Sequence, residues 1–236
     1  MSRSTLAAAC ALAGLAGGLA AAPVPAEKVL PPTDAEWAAS QANLREIGLA
    51  CLNYDSAHGH FPNNVTDKDG KLLLSWRVAL LPFLEQHPLY TEFKLDEPWD
   101  SDHNKKLVEK MPKVFAPVRG KARSGQTYYR GFEGPGAVFE RGKKVAIASI
   151  TDGCSNTALV VEAGGPVVWT KPEDLPFNPD KALPKLGGLF DGEFNLLLCD
   201  GSVRRVRKDY EPEVMKFVIG RSEGGVFDFA GLEPKK

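Results

Sequence analysis

Histidine is scarce in this sequence: four among 236 residues, at positions 58, 60, 87 and 103. Cysteine is equally scarce, with Cys10, Cys51, Cys154 and Cys199 and no Cys-x-x-Cys pair. That spacing excludes zinc-ribbon and thioredoxin-like motifs. Net charge is nearly absent too, with 29 basic against 30 acidic residues. A chain so balanced lacks the basic footprint that nucleic-acid binding requires. Nor is there a convincing membrane span. The apolar segment from Leu6 to Ala22 is mostly Ala and Gly and falls short of the ~20 apolar residues a span needs. No internal repeat is visible.

Proline and glycine are plentiful, at 18 and 23 residues, and predict a loop-rich body of short elements. The 43% hydrophobic and 25% charged content is that of an ordinary globular protein. The start differs from the rest. "MSRSTLAAACALAGLAGGLAAAPVPA" has a basic residue, an apolar middle, a small-residue exit and no acid, which is the pattern of a cleavable signal peptide. Cleavage is expected after Ala26. Residues 1–26 are then the signal, 27–32 a proline-marked linker, and 33–236 a single domain. The mature chain keeps Cys51, Cys154 and Cys199, which are expected as three buried thiols.

Thr33-Asp-Ala-Glu36 reads as a capping box. It opens a helix to about His58, with Trp37, Leu44, Ile47, Cys51 and Tyr54 on one side and Gly59 as its exit. "TDKDGK" predicts a turn; Asp67 and Asp69 resemble part of a calcium loop, but the later ligands are missing. Ser75–Gln86 predicts a helix that Pro82 kinks or splits. Asp100–Lys110 predicts a short third helix. Beyond residue 113 the period changes to strand runs: "TYYRGF", "AVFE", "VAIASI", "TALVVEA", "PVVWT", "FNLLLC" and "SVRRVR". Asp200-Gly201 predicts a two-residue type I′ hairpin between the last two runs. A closing helix is expected over Glu211–Ile219. Helices first and strands later predict an α+β domain with an antiparallel sheet.

Four stretches also carry a resemblance. "NLREIGLACLNYDSAHGHFP", "LLSWRVALLPFLEQHPLYTEFKLDEPWDSDHNKKLVEKMP", "ITDGCSNTALVVEA" and "FNLLLCDGSVRRV" resemble, in this order, the domain-of-unknown-function-1559 family. That family is expanded in planctomycete bacteria and associated with prepilin-like proteins. The resemblance implies a pseudopilin-like fold and an extracytoplasmic location, and no reaction. Two features depart from the family pattern. The leader lacks a Phe-Thr-Leu-Ile-Glu-like motif, and Phe190 stands where the family has a histidine separated by nine residues from Asp-Gly.

Several groups are candidates for chemistry. His58-x-His60 with Asp55 could offer metal ligands, but the helix exit and turn also explain Gly59, Phe61 and Pro62. "GRSEG", 220–224, matches a serine-hydrolase pattern without a histidine downstream. Cys154 and Ser155 lie in "TDGCSNT", a run of turn residues. Trp76, Trp99, Trp169, Tyr128 and Tyr129 could line a ligand pocket or fill a core. The basic run Val203–Lys208 reads as a solvated strand edge. No catalytic, cofactor-binding or metal-binding set is complete. The expected function is an exported, non-enzymatic, pseudopilin-like module without a cofactor, whose partners are other envelope or secreted proteins. A periplasmic small-ligand-binding protein is the alternative, and a hydrolase the third reading.

Overall fold

The computed structural model describes residues 30–120, 122–222, 224 and 229–234. The expected signal segment, its cleavage site and Glu223 lie outside the described residues. The chain divides at Leu30, and the fold is that of the unit from Pro31 onward.

The first helix, α1 (Asp34–His58), has the ends its sequence encodes. The Thr33 N–H donates to Glu36 Oε2 (2.8 Å), and the Glu36 N–H donates to Thr33 Oγ1 (3.2 Å). Two of the donors that a helix start leaves unpaired are thereby satisfied. At the far end Gly59 has φ 74° and donates to the Asp55 carbonyl (2.7 Å). Trp37, Leu44, Ile47 and Cys51 form the buried face, and Tyr54 is half-buried against the same core.

A small hairpin follows, β1 (Val65–Thr66) with β2 (Leu72–Leu74). Its turn is held by Asp67, whose Oδ1 accepts from the N–H groups of Asp69 and Lys71 (2.9 Å each). The carboxylate suggestive of a calcium ligand is thus engaged with its own turn. Pro82 splits the next helix as its missing N–H requires. α2 (Trp76–Ala79) is followed by a 3-10 turn over Leu81–Leu84, a left-handed Glu85 (φ 57°), and α3 (His87–Glu92). The helix expected over Asp100–Lys110 is instead a 3-10 helix, Asn104–Lys110. The buried Asn104 amide donates to the carbonyls of Lys94, Glu97 and Pro98 (2.9, 3.1 and 3.2 Å). Those bonds wrap residues 94–103 around it and leave them unavailable for a helix.

The main sheet has the order β3 (Gln126–Arg130), β5 (Ala158–Val168), β7 (Phe194–Leu198), β8 (Val203–Val206), every pair antiparallel. A second, parallel pair joins β4 (Phe132–Glu133) to β6 (Leu175–Pro176). Two expected strands are absent as such. "AVFE" makes only the bridge Glu133–Phe139, and "VAIASI" contains the 3-10 turn Ile147–Ser149. "TALVVEA" and "PVVWT" are parts of one strand, β5, that runs through Gly164-Gly165-Pro166. Opposite β3 the register passes from Tyr129↔Glu162 to Thr127↔Val167, so β5 bulges over its two glycines.

All five residues of β7 are buried, because the sheet is covered on both faces. Leu197 packs in the cluster that contains Leu44, Ile47 and Cys51 of α1. Phe194, Leu196 and Leu198 pack with Met215, Val218 and Ile219 of α4 (Pro212–Ile219). The division follows the two-residue period of a strand. α1 comes close enough that a Cβ at Gly48 would lie 2.8 Å from Leu197 Cδ1 and 3.2 Å from Gly201 Cα. The result is an α+β domain. Among the described residues no helix is long and apolar enough to cross a membrane.

The β7–β8 hairpin forms where expected, with a different turn. Asp200 does not have positive φ; Gly201 does, at 84°. The Gly201 N–H donates to the Leu198 carbonyl (3.0 Å), and the Leu198 N–H to the Ser202 carbonyl (2.9 Å). This is a three-residue loop, a turn closed by a left-handed glycine, rather than the type I′ turn. Asp200 Oδ1 accepts from the Ser202 N–H (2.8 Å) and hydroxyl (2.6 Å), which stabilises the loop. Gly201→Val would place a β-branched residue at positive φ and should cost about 1–3 kcal/mol. Asp200→Asn keeps an acceptor and should melt close to the parent. Thermal melting of the two variants checks both expectations.

Candidate functional site

The His58/His60 stretch lies at the exit of α1. The Tyr54 ring sits 4.3 Å from the His58 ring and 5.7 Å from the His60 ring, and the two imidazoles are 6.4 Å apart. His58 also packs edge-on against Phe83 at 5.8 Å. His60 Nδ1 donates to the Phe61 carbonyl (2.7 Å), and Asp55 Oδ1 accepts from the Ile147 N–H (3.2 Å). The three side chains serve an aromatic cluster and a loop contact, and do not converge on a point. His87 lies beside Tyr90, and His103 Nε2 donates to the Glu92 carbonyl (2.7 Å). Among the described residues no group of three or more His, Cys, Asp or Glu is placed to hold a metal ion.

The other candidates also separate. Ser222 lies in an exposed bend after α4, and Arg221 beside it pairs with Glu140 (2.6 Å). Cys51 and Cys199 are buried, but Cys154 is only half-buried, in the turn 151–156, so the expectation of three buried thiols fails there. All three are free. Burial first, then the Asp200 and Asp55 carboxylates, pushes the Cys154 thiol up, opposite to the direction that activates a nucleophile. Trp76, Trp169 and Tyr129 are fully buried, Tyr128 is nearly so, and Trp99 packs half-buried against the same core. They do not line a pocket. Phe190, at the family's histidine position, is buried and stacks on Trp37 at 3.8 Å.

What the chain does build is a cleft of about 340 Å³ with a charged rim. One wall is His60, Asn63, Asn64 and Thr66; the other is Glu140 and Lys143–Lys144, with Leu72 and Phe139 as apolar floor. The walls are joined by the Phe61 N–H to the Val145 carbonyl (2.8 Å) and Asn63 Nδ2 to the Lys143 carbonyl (2.9 Å). Charges on the rim are mostly paired: Arg141 with Glu133 and Lys143 with Glu140, each at 2.7 Å. Lys144 is exposed and has no ion pair among the described residues.

Beneath the cleft lies a buried polar network that the sequence reading missed. Asp174 Oδ1 accepts from Trp76 Nε1 and the Gly131 N–H, and its Oδ2 accepts from Asn64 Nδ2, all at 3.0 Å. Asn64 Oδ1 in turn accepts from the Trp76 N–H (2.9 Å). Arg77, fully buried, donates Nε to the Tyr129 carbonyl (3.0 Å) and Nη1 to Ser75 Oγ. Its Nη2 is 3.8 Å from Asp174 Oδ1, a charge contact too long for a hydrogen bond. Burial pulls the Arg77 guanidinium down to about 10, against the opposing pull of Asp174. The only signal in the sequence was an arginine inside the apolar run "SWRVALL".

A second buried acid, Glu162 on β5, lies between the sheet and α1. Its Oε1 contacts Ser40 Oγ and its Oε2 accepts from the Asn195 N–H (2.6 Å). Ser40 Oγ is 2.9 Å from the Tyr129 hydroxyl. Burial pushes the Glu162 carboxyl up to about 7, although the bonds from Ser40 and Asn195 pull the other way. Glutamate within "TALVVEA" was the visible signal.

Fold and site together define an α+β domain with a solvent-open cleft beside a buried hydrogen-bonded network. Residues 37–130 match the sequence model of the family described as protein of unknown function (DUF1559), and over this segment the chain is similar to that family. The match holds α1 from Trp37 onward, the β1–β2 hairpin, the Pro82-split helices and β3. No curated protein and no solved structure matches the chain.

Asp174→Ala would leave the Arg77 charge buried without its counter-ion and orphan three donors. The expected loss is about 3–5 kcal/mol, the range for breaking a buried pair on one side. Urea unfolding of the variant against the parent measures it.

Proposed function

We propose that this protein is an exported, non-enzymatic binding module of the cell envelope, pseudopilin-like in architecture, that engages another envelope or secreted protein at the cleft beside the β1–β2 hairpin. The observation that carries this reading is the cleft itself: a concavity of about 340 Å³ whose walls are cross-linked and whose Asn64 is anchored to the buried Asp174. A preformed surface loses little conformational freedom on binding. The basic, apolar and small-residue order of residues 1–26 supports export. A long first helix lying on an antiparallel sheet supports the pseudopilin-like architecture.

A small-ligand reading is favoured by the same volume, which falls at the lower end of the ~300–1,000 Å³ range of small-molecule pockets. Charged side chains, Glu133, Glu140, Arg141, Lys143 and Lys144, surround an apolar centre of Leu72 and Phe139, which fits a protein partner's interface of apolar core and polar rim.

Amino-terminal sequencing of the protein from its own cells should begin at Glu27; an intact leader on cytoplasmic protein refutes export. Affinity capture from the envelope, read by mass spectrometry, should recover the same partners repeatedly. Lys144→Glu reverses an exposed charge on the cleft and should leave melting unchanged while reducing that capture several-fold. Undiminished capture by a folded Lys144→Glu protein would move the partner surface away from the cleft.

A further inference from the structure

Glu162 is a fully buried carboxylate facing a helix, with no arginine or lysine bonded to it. Four elements meet around it. From α1 come Ser40, Gln41 and Asn43; from β3 the Tyr129 hydroxyl; from β7 Asn195. Gln41 Nε2 donates to Asn195 Oδ1 (3.3 Å), and Asn43 Nδ2 donates to the Tyr129 hydroxyl (3.3 Å). Asn195 Nδ2 reaches Glu162 Oε1 at 3.4 Å. The titratable and charged groups around this site are few. α1 presents only neutral side chains to it; the exposed Arg45 reaches no further than Gln41 Oε1 (3.4 Å), and Glu36 in the first turn is paired with Arg119 (3.3 Å). β3 presents Tyr129, itself pushed up by burial. On β8, Arg205 is turned to Glu193 (2.8 Å) and to the Trp37 ring (3.8 Å). Asp191, in the segment before β7, is exposed.

The hydroxyls of Ser40 and Tyr129 can each donate in one direction at a time. When Glu162 is ionised, Tyr129 donates to Ser40 and Ser40 donates to Glu162. When Glu162 carries a proton, it donates to Ser40 and the chain runs the other way. One proton therefore sets the direction of the hydrogen-bond chain that crosses from the sheet to α1.

We propose that the Glu162–Ser40–Tyr129 chain is a pH-sensitive latch that holds α1 on the sheet while Glu162 is protonated and loosens it when the proton leaves. The hydrogen-bond chain persists in both states, but the ionised carboxylate is fully buried with no counter-ion, and lifting α1 relieves that cost. The carboxyl sits at about 7 in the latched state, against an ordinary value of 4.5 once α1 lifts and water returns. The latched state therefore holds its proton more tightly. The latch is complete below about pH 4.5 and weakens as pH rises from there through 7. With those two values the opening constant of α1 rises roughly seventyfold between pH 5 and pH 8.

Amide hydrogen exchange at pH 5 and pH 8, corrected for intrinsic rates, reads this constant directly. In the parent, the α1 amides around Ser40 and Leu44 should lose protection by tens of fold, and those of α4 around Met215 and Val218 should not. In Glu162→Gln the α1 ratio should be flat. A flat ratio in the parent, an equal loss in α4, or an undiminished rise in Glu162→Gln each overturns the latch. Carbon-13 titration of the Glu162 carboxyl in the parent is independent of any variant's folding: a midpoint between pH 6 and 8 supports the proposal, and one below 5 sinks it. Ser40→Ala removes a donor that favours the ionised form, so its midpoint should move upward; a downward move counts against the chain.

Discussion

The contact at Gly48 sets the geometry of the domain. A helix can approach a strand this closely only where it presents no side chain, and α1 does so over Leu197 and the Gly201 turn. That approach brings Ser40 within reach of Glu162, and Leu44, Ile47 and Cys51 into the core beside Leu197. A methyl group at residue 48 would lie 2.8 Å from Leu197 Cδ1 and 3.2 Å from the Gly201 backbone. The leucine can turn aside, but the backbone of the hairpin cannot.

Two acids are buried among the described residues, and each is accommodated differently. Asp174 is met by three hydrogen-bond donors and a nearby guanidinium, which replace the water it loses on burial. Glu162 is met by neutral donors alone, which stabilise an anion less well in a medium of low polarity. The first acid fixes the loops around the cleft. The second leaves a charge whose presence depends on the surroundings. Charge pairing on the rim, by contrast, joins the exposed Arg141 and Lys143 to the half-buried Glu133 and Glu140.

Features set by neighbouring residues were legible in the sequence. The capping box at Thr33, the Gly59 exit, the Pro82 break and the Asp200-Gly201 hairpin each depend on a few adjacent side chains, and each is where the sequence places it. The exact turn was not legible, because a two-residue and a three-residue loop use the same Asp-Gly pair and differ only in how the strands pair. "VAIASI" has a strand's composition but no strand beside it to pair with, so it forms a turn. Gly164-Gly165-Pro166 reads as a break, yet the bulge against β3 carries the strand across it. The candidate site was still less legible. Asn64, Arg77 and Asp174 are far apart in the chain, and no local pattern marks residues whose only relation is that they meet. His58 and His60 stand out in the sequence by rarity, and the structure gives them an aromatic neighbourhood at the end of α1.

Phe190 also changes what surrounds Trp37. The indole has a phenyl ring 3.8 Å from one side and the Arg205 guanidinium 3.8 Å from its centre. It belongs to the first turns of α1, while Phe190 and Arg205 belong to the sheet side of the domain. Lifting the helix would strip both companions from the ring and expose it to water. The protein thus carries its own optical probe, a tryptophan whose emission colour and quenching by iodide report whether the first helix is seated.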